Sequence, residues 1–252
     1  MMGDQLQLQA SIIIPVRNEW PLTRQCILSV RHHTPLSHEI ILIDNGSDEP
    51  APGFFHQQAN MYVIRNKWNR GFAAAINQGL QKAKGNYLVW LNNDTLPSHR
   101  WLKQLIHVLE KESSVGLVGP VSNKVIPEQK LSVKLTSTKQ IHRFTDRYNR
   151  TNPARWRTTS RLSGFCLVCS RQVFEKIGYL DERFGLGTYE DDDYCYRAHL
   201  AGYRCMVAGD TYVHHFGSQS FRKNGYQEFQ KILKQNRRYY RHKWNRLPDG
   251  DS

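Results

Sequence analysis

Three groups of residues have the types and spacing that chemistry needs. The first is Asn92-Asn93-Asp94, which ends the apolar run Tyr87-Leu88-Val89-Trp90-Leu91. A buried strand that delivers a carboxylate to a sheet edge can hold a divalent cation and, through it, a diphosphate. The same three residues also suit a polar turn. The second group is Glu190-Asp191-Asp192-Asp193. Acids complement the dipole at a helix start, but four in a row repel one another and should raise some of their pKa values. A carboxylate so raised is a better base toward a hydroxyl. At helical spacing Glu190, Asp193 and Arg197 share one face, and Asp191 points elsewhere, free to meet a substrate. The third is His214-His215, metal-ligand types if Asp94 is near and loop histidines if it is not. Two weaker signals accompany them. Asp44 opens Asp44-Asn45-Gly46-Ser47-Asp48, as a hydrogen-bond acceptor for ribose or base or as a plain turn. Asn69-Arg70-Gly71 opens a helix whose N–H groups would face a phosphate, or caps it.

The elements that must position these groups alternate. Ser11–Val16, Glu39–Asp44, Met61–Ile64, Tyr87–Leu91 and Val115–Val121 read as strands. Between them, 21–33 and 71–84 read as helices, and Ser98 is expected to cap a helix with Trp101, Leu102, Leu105, Ile106 and Leu109 on its inner face. This order predicts an α/β fold, a mainly parallel sheet with helices on both faces. Ligands in such sheets bind at the carboxyl ends of strands, which puts Asp44 and Asp94 on one rim. Residues 122–160 break the rhythm and read as a long loop with room for short strands or helices, partly mobile without substrate. Further along, Phe165–Cys169, a short helix 171–177, a helix from the acidic run to Leu200, and two short strands at 206–208 and 212–213 are expected. In the tail, Tyr226, Phe229, Leu233, Tyr240 and Trp244 form one stripe opposite a basic face. That stripe predicts a helix packed on the core or on a second subunit, with a membrane as the competing surface.

Charge is segregated. The 252-residue chain has a net charge of +13. Residues 122–161 hold ten Lys/Arg against two Asp/Glu, a net of +8, and residues 219–252 hold nine against three, a net of +6. The rest of the chain is therefore near neutral. Two such segments are expected to attract phosphates or an anionic membrane surface, or to be solvated faces. No nucleic-acid motif accompanies them, so no nucleic acid is expected as a partner. No apolar run approaches the ~20 residues of a membrane span. The polar first ten residues do not read as a secretory leader. Five cysteines, an odd number, suggest reduced thiols and a cytoplasmic setting. Cys166 and Cys169 have CxxC spacing but lie in an apolar run with no second pair, so core residues are expected rather than a zinc site.

Taken in order, Ile14-Pro15-Val16-Arg17-Asn18-Glu19, Ile43–Asp48, Asn69–Gly79, Leu91–Asp94, Glu190–Arg197 and His214–Ser218 resemble an inverting family 2 glycosyltransferase of the GT-A fold. The branch most similar contains bacterial rhamnosyl- and related transferases that build surface polysaccharides. The resemblance implies a single GT-A domain over 1–252. Residues 10–121 would form its nucleotide-sugar half, 122–160 a basic variable loop, 161–218 the acceptor and catalytic half, and 219–252 a basic amphipathic tail. By position, Pro15, Asn18, Glu19, Asp44, Asn69, Gly71, Asn92 and Asn93 would hold the nucleotide. Asp94, with His214 or His215, would hold Mg²⁺ or Mn²⁺, His214 being favoured by its distance to Gly217. Asp191 would be the catalytic base, supported by Glu190 and Asp193. Asn92 stands where the family carries the first carboxylate of its Asp-x-Asp, and an amide brings no charge to a metal. The implied reaction is transfer from a dTDP- or UDP-linked sugar to a hydroxyl of a glycan or lipid-diphosphate-linked glycan, with inversion, in the cytoplasm or at the inner face of the membrane. The alternatives are a catalytically weakened nucleotide-sugar binder and a basic protein that binds nucleic acid or an anionic surface.

Overall fold

The computed structural model describes residues 8–217 and 226–250. An eight-stranded sheet of order β3-β2-β1-β4-β8-β6-β9-β7 forms its centre. Strands β1 (Ala10–Val16), β2 (His38–Asp44), β3 (Met61–Arg65) and β4 (Tyr87–Leu91) run parallel. β8 (Cys166–Ser170) lies antiparallel between β4 and β6 (Val115–Val121). β9 (Arg204–Tyr212) is parallel to β6, and β7 (Trp156–Thr159) closes the edge antiparallel to it. The chain leaves β1 toward β2 and β3, then returns to add β4 on the other side. That reversal opens a crevice at the carboxyl ends of β1 and β4.

Strand alternation sorts the core into two layers. Ile12, Ile14, Ile40, Leu42, Val89 and Leu91 are buried against α1 (Trp20–His33) and α4 (Trp101–Lys111). Their neighbours Ile13, Ile41, Ile43, Leu88 and Trp90 face the opposite layer, with α3 (Phe72–Lys82), α6 (Arg171–Ile177) and α7 (Glu190–Leu200). A period of two covered on both faces explains the continuous apolar runs. α3 approaches the sheet closely because residue 79 is Gly: a Cβ there would lie 2.3 Å from Ile13 Cγ2. Cys166 and Cys169 belong to opposite layers of β8, so they cannot share one metal, and all five cysteines are free and buried.

Several expectations need correction. Residues 122–160 hold an eleven-residue helix, α5 (Thr138–Tyr148), as well as β7. Ile141, Phe144, Thr145 and Tyr148 lie at i, i+3, i+4 and i+7, with Ile141 and Thr145 buried and Phe144 and Tyr148 packed against the core, a helical stripe that the polar, basic composition of the segment outweighs in the sequence. Polar contacts anchor it as well: Asn149 donates to the carbonyls of His99 and Tyr212, and Tyr148 OH donates to Gly209 O. Ser98 does not cap α4 with its hydroxyl; Arg100 stands at that position in the left-handed region, and Ser98 Oγ meets His142. The two short strands expected at 206–208 and 212–213 are one, because Asp210 is absorbed by partners from the neighbouring segment, Asn152 N and Trp156 Nε1.

The tail forms α8 (Tyr226–Trp244), docked on the core. Tyr240 is buried against Phe184 and Tyr189, with Leu233, Tyr239 and Trp244 beside them. Asn236 donates to the carbonyls of Phe184 and Gly187. Lys243 pairs with Asp181 and with Asp193 of α7. Burial opposes the charge on Asp181, but hydrogen bonds from Arg183 and Lys243 hold its carboxyl well below the usual range. The expected motif end at Ser218, the tail residues 219–225, the side chain of Tyr226 and the chain's first seven residues lie outside the described residues.

Candidate active site

The crevice at the carboxyl ends of β1 and β4 is a cleft of about 1190 Å³. Pro15, Asn18, Asn69, Asn92, Asn93 and Asp94 line one side, and Glu190, Asp191 and His215 also line it. Glu19, Asp44, Gly71, His214 and Asp193 stand outside the lining. Asp44 is fully buried at the end of β2. Its Oδ1 accepts from Ser47 N, and its Oδ2 lies 3.4 Å from Arg65 Nε. Asn18 takes a positive φ and exchanges two hydrogen bonds with Asp48 across the mouth of β1 and β2. Asn69 Oδ1 accepts from Asn45 Nδ2 and from Gly71 N, which fixes the entry to α3. Gly71 has φ +88, and a Cβ on it would fall 1.9 Å from Gly185 O, so the residue lets the loop before α7 close over the helix start.

Asp94 meets His215. A two-residue strand, β5 (Thr95–Leu96), pairs antiparallel with β10 (His214–His215), and strand alternation sends the two imidazoles to opposite sides. His215 Nε2 lies 3.1 Å from Asp94 Oδ1. Its Nδ1 lies 2.7 Å from Lys124 O, and a carbonyl only accepts, so Nδ1 carries the hydrogen. His214 turns the other way, to Tyr212 OH at 2.9 Å. Burial, then His215 and Lys124, push its pKa down to about 4, so its ring is neutral. Asn123 clamps the arrangement: its Oδ1 accepts from His215 N, and its Nδ2 donates to His215 O.

The four acids at the start of α7 have four different surroundings. Asp192 forms a two-pronged pair with Arg161, at 2.7 and 3.1 Å. Asp193, fully buried, holds Arg197, Lys243 and Trp244 Nε1. Asp191 is half-buried and accepts from Gly164 N at 3.0 Å and Asp192 N at 2.9 Å. Glu190 is buried, and its Oε2 has no hydrogen-bond partner. Burial, then the Asp191 charge, push Glu190 well above the ordinary carboxylate range. Burial also raises Asp191, but two backbone N–H groups and Arg161 pull the other way. Glu190 therefore keeps its proton longer, and Asp191 is the acid that ionises first.

The profile of the family described as Glycosyl transferase family 2 matches residues 11–178, two thirds of the chain. The chain belongs to glycosyl transferase family 2. Among curated relatives of this family 2 chain, a pre-mycofactocin glycosyltransferase of Mycobacterium tuberculosis is 27% identical over 209 residues, 81% of this chain and 42% of the relative. A chondroitin synthase of Escherichia coli is 24% identical over 223 residues, 76% of this chain and 32% of the relative. The chain thus spans less than half the length of these relatives. A mannosyltransferase of Pyrobaculum calidifontis, solved with GDP-Man and Mn²⁺, superposes with a TM-score of 0.65 at 19% identity, covering 90% of this chain and 61% of the other. GalNAc-T7, solved with UDP, GalNAc and Mn²⁺, gives 0.64 at 20% identity over 84% and 44%. These likenesses establish the GT-A fold for this family 2 chain.

The cleft also takes residues that sequence reasoning missed. Arg17, Lys124 and Arg161 reach it from loops, and Phe229, Lys234 and Arg237 of α8 line it too. Phe229 lay on the stripe read as packing. For all of these cations but Arg17 the signal was the charge of the two basic segments, which does not reveal where they fold. Among the described residues no helix is long and apolar enough to cross a membrane.

Proposed function

We propose that this family 2 glycosyl transferase moves a sugar from a dTDP- or UDP-linked donor to a hydroxyl of a glycan or lipid-diphosphate-linked glycan, with inversion. The observation that carries the reading is that Asp94, His215 and Asp191 line one cleft at the topological switch of the sheet. The donor's nucleoside would lie along Pro15 and Asn18, and its diphosphate between Asn69 and Asn92-Asn93-Asp94. Asp94 and His215 suit a divalent cation, Mg²⁺ or Mn²⁺: Nδ1–H is given to Lys124 O, and His215 Nε2 and Asp94 Oδ1, 3.1 Å apart, are a nitrogen and a carboxylate oxygen that one ion could ligate together. Such an ion supplies neutralisation of the charge growing on the leaving diphosphate.

Asp191 takes the proton of the acceptor hydroxyl as its oxygen attacks the anomeric carbon, on the face opposite the departing diphosphate. One displacement forms the new glycosidic bond as the old one breaks, so configuration inverts. Glu190, protonated beside it, adds no second negative charge against the incoming oxygen. Lys124, Arg161, Lys234 and Arg237 place positive charge around the cleft, which suits an acceptor carrying a diphosphate. An undecorated glycan would not use that charge, so a lipid-diphosphate-linked acceptor at the inner face of the membrane is the preferred partner. The setting is surface polysaccharide synthesis, as in the rhamnosyltransferase-like branch.

Thermal unfolding with UDP, dTDP and GDP, with and without Mn²⁺, tests the donor site. A ligand at about 100 times its Kd adds about 2.7 kcal/mol. At this chain length that raises Tm by roughly 5–10 °C. We expect a Mn²⁺-dependent shift for UDP or dTDP that disappears in Asp94→Ala. No shift with any nucleotide, or a Mn²⁺-dependent shift that survives Asp94→Ala, contradicts the assignment.

A further inference from the structure

His33, His99 and His142 come from three separate elements and meet away from the cleft. His33 ends α1, His99 lies in the turn before α4, and His142 is in the second turn of α5. One ring nitrogen from each lies within 4.8 Å of the other two. Ring centroids are 4.5 Å apart for His33 and His99, and 4.8 Å apart for His33 and His142. Among the described residues this is the one cluster of three groups with metal-ligand spacing. None of the three lines the cleft.

We propose that these three imidazoles bind a Zn²⁺ ion that fastens α5 to the body of the protein. A tetrahedral zinc with bonds of about 2.0–2.1 Å needs nitrogens about 3.4 Å apart. Small rotations of half-buried side chains close the remaining distance. The surroundings orient the ligands as a metal site needs. Ser98 Oγ lies 2.6 Å from His142 Nδ1, so with Nδ1–H donated to that hydroxyl, Nε2 is left for the ion. Asp146 Oδ1 faces His99 Nδ1 at 3.9 Å and is itself held by Arg100. The last turn of α1 presents the negative end of its dipole to a cation. An all-imidazole set favours zinc over Mg²⁺ or Mn²⁺, which prefer oxygen ligands such as those of the cleft. Water would fill the fourth position. The ion would tie the inserted segment to the turn that follows Thr95–Leu96, the strand that leads away from Asp94. Its role is structural.

The test is Zn²⁺ titration of the untagged, chelator-treated full chain by calorimetry, with Co²⁺ absorption to report tetrahedral ligation. Asp94→Asn serves as the background, so that the cleft does not compete. We expect one saturable site per chain, a visible tetrahedral Co²⁺ spectrum and a rise in Tm with Zn²⁺. His142→Gln and His33→Gln should abolish all three while their metal-free circular dichroism stays that of the parent. Ser98→Ala, which removes only the orienting hydroxyl, should weaken Zn²⁺ binding about 10- to 100-fold. Absence of saturable binding in the Asp94→Asn background, or binding unchanged in folded His142→Gln and His33→Gln, overturns the proposal.

Discussion

Asp191→Asn should lower kcat for sugar transfer by about 10²- to 10⁴-fold, the range expected when a positioned base is removed. That is about 2.7–5.5 kcal/mol of barrier. The amide keeps the shape of the carboxylate, and its one oxygen can still accept from Gly164 N or from Asp192 N, though not from both, so circular dichroism of the variant should confirm that the start of α7 holds. The Mn²⁺-dependent nucleotide shift should stay that of the parent. The pH dependence follows from the same surroundings. Burial raises Asp191 in the folded protein, and the base works only when ionised. Activity is therefore full above the raised pKa and falls as pH drops through it. The acid limb of kcat/KM should lie above the ~3.9 of an ordinary aspartate. In Asp191→Asn that limb should vanish from the residual rate. Turnover equal to the parent contradicts the base assignment, and so does an unchanged acid limb.

Asp193→Ala should give the largest loss of stability of any single change in the acidic run. The carboxylate is fully buried, accepts from Arg197 Nε at 2.9 Å and Trp244 Nε1 at 2.8 Å, and pairs with Lys243. Breaking one partner out of a buried ionic network costs about 3–5 kcal/mol, because the cations are left uncompensated. Arg197 keeps the carbonyls of Ile177 and Tyr179, and Lys243 keeps Asp181, so the lower end is expected. At this length about 3 kcal/mol lowers Tm by roughly 6–12 °C. Lys243→Met removes one of the two α8 groups that hold Asp193, Trp244 being the other, so the double variant should lose less than the sum of the two. Thermal unfolding of the three variants checks this. Additive losses, or a Tm within 1–2 °C of the parent for Asp193→Ala (under roughly 0.5 kcal/mol), contradict the network. Because Leu233, Lys234 and Arg237 of α8 line the cleft, loosening α8 should also raise the KM for acceptor more than for donor.

The parts of the fold visible in the sequence were those written by apolar periodicity. Ser11–Val16, Glu39–Asp44 and Tyr87–Leu91 read as buried strands because both faces are covered, and each lies within the observed β1, β2 or β4. Asp94 and Asp191 could be placed near a strand end and a helix start, and the cleft brings both into its lining. What the sequence hid depended on polar contacts or on register. α5 is an exception: Ile141, Phe144 and Tyr148 stand at helical spacing in the sequence, but they sit in a basic, polar segment whose composition reads as loop. Which histidine turns to Asp94 is decided by the pairing of β10 with the two-residue β5, too short to leave a periodic trace. The same holds for Ser98: its type fits a helix cap, but α5 brings His142 to its hydroxyl first. Basic charge was legible as an excess, whereas its convergence on the cleft required the fold of 122–161 and the docking of α8.

The most direct test of single displacement assisted by Asp191 needs no knowledge of the acceptor. Water is the smallest hydroxyl, and slow hydrolysis of a nucleotide α-sugar in the presence of Mn²⁺ can be followed by proton NMR, reading the anomeric signal of the sugar as it first appears. We predict that the β-anomer appears first, before mutarotation, and that Asp191→Asn suppresses its formation. First appearance of the α-anomer would contradict a single displacement in this cleft, and hydrolysis undiminished in Asp191→Asn would contradict the role of the carboxylate at its centre.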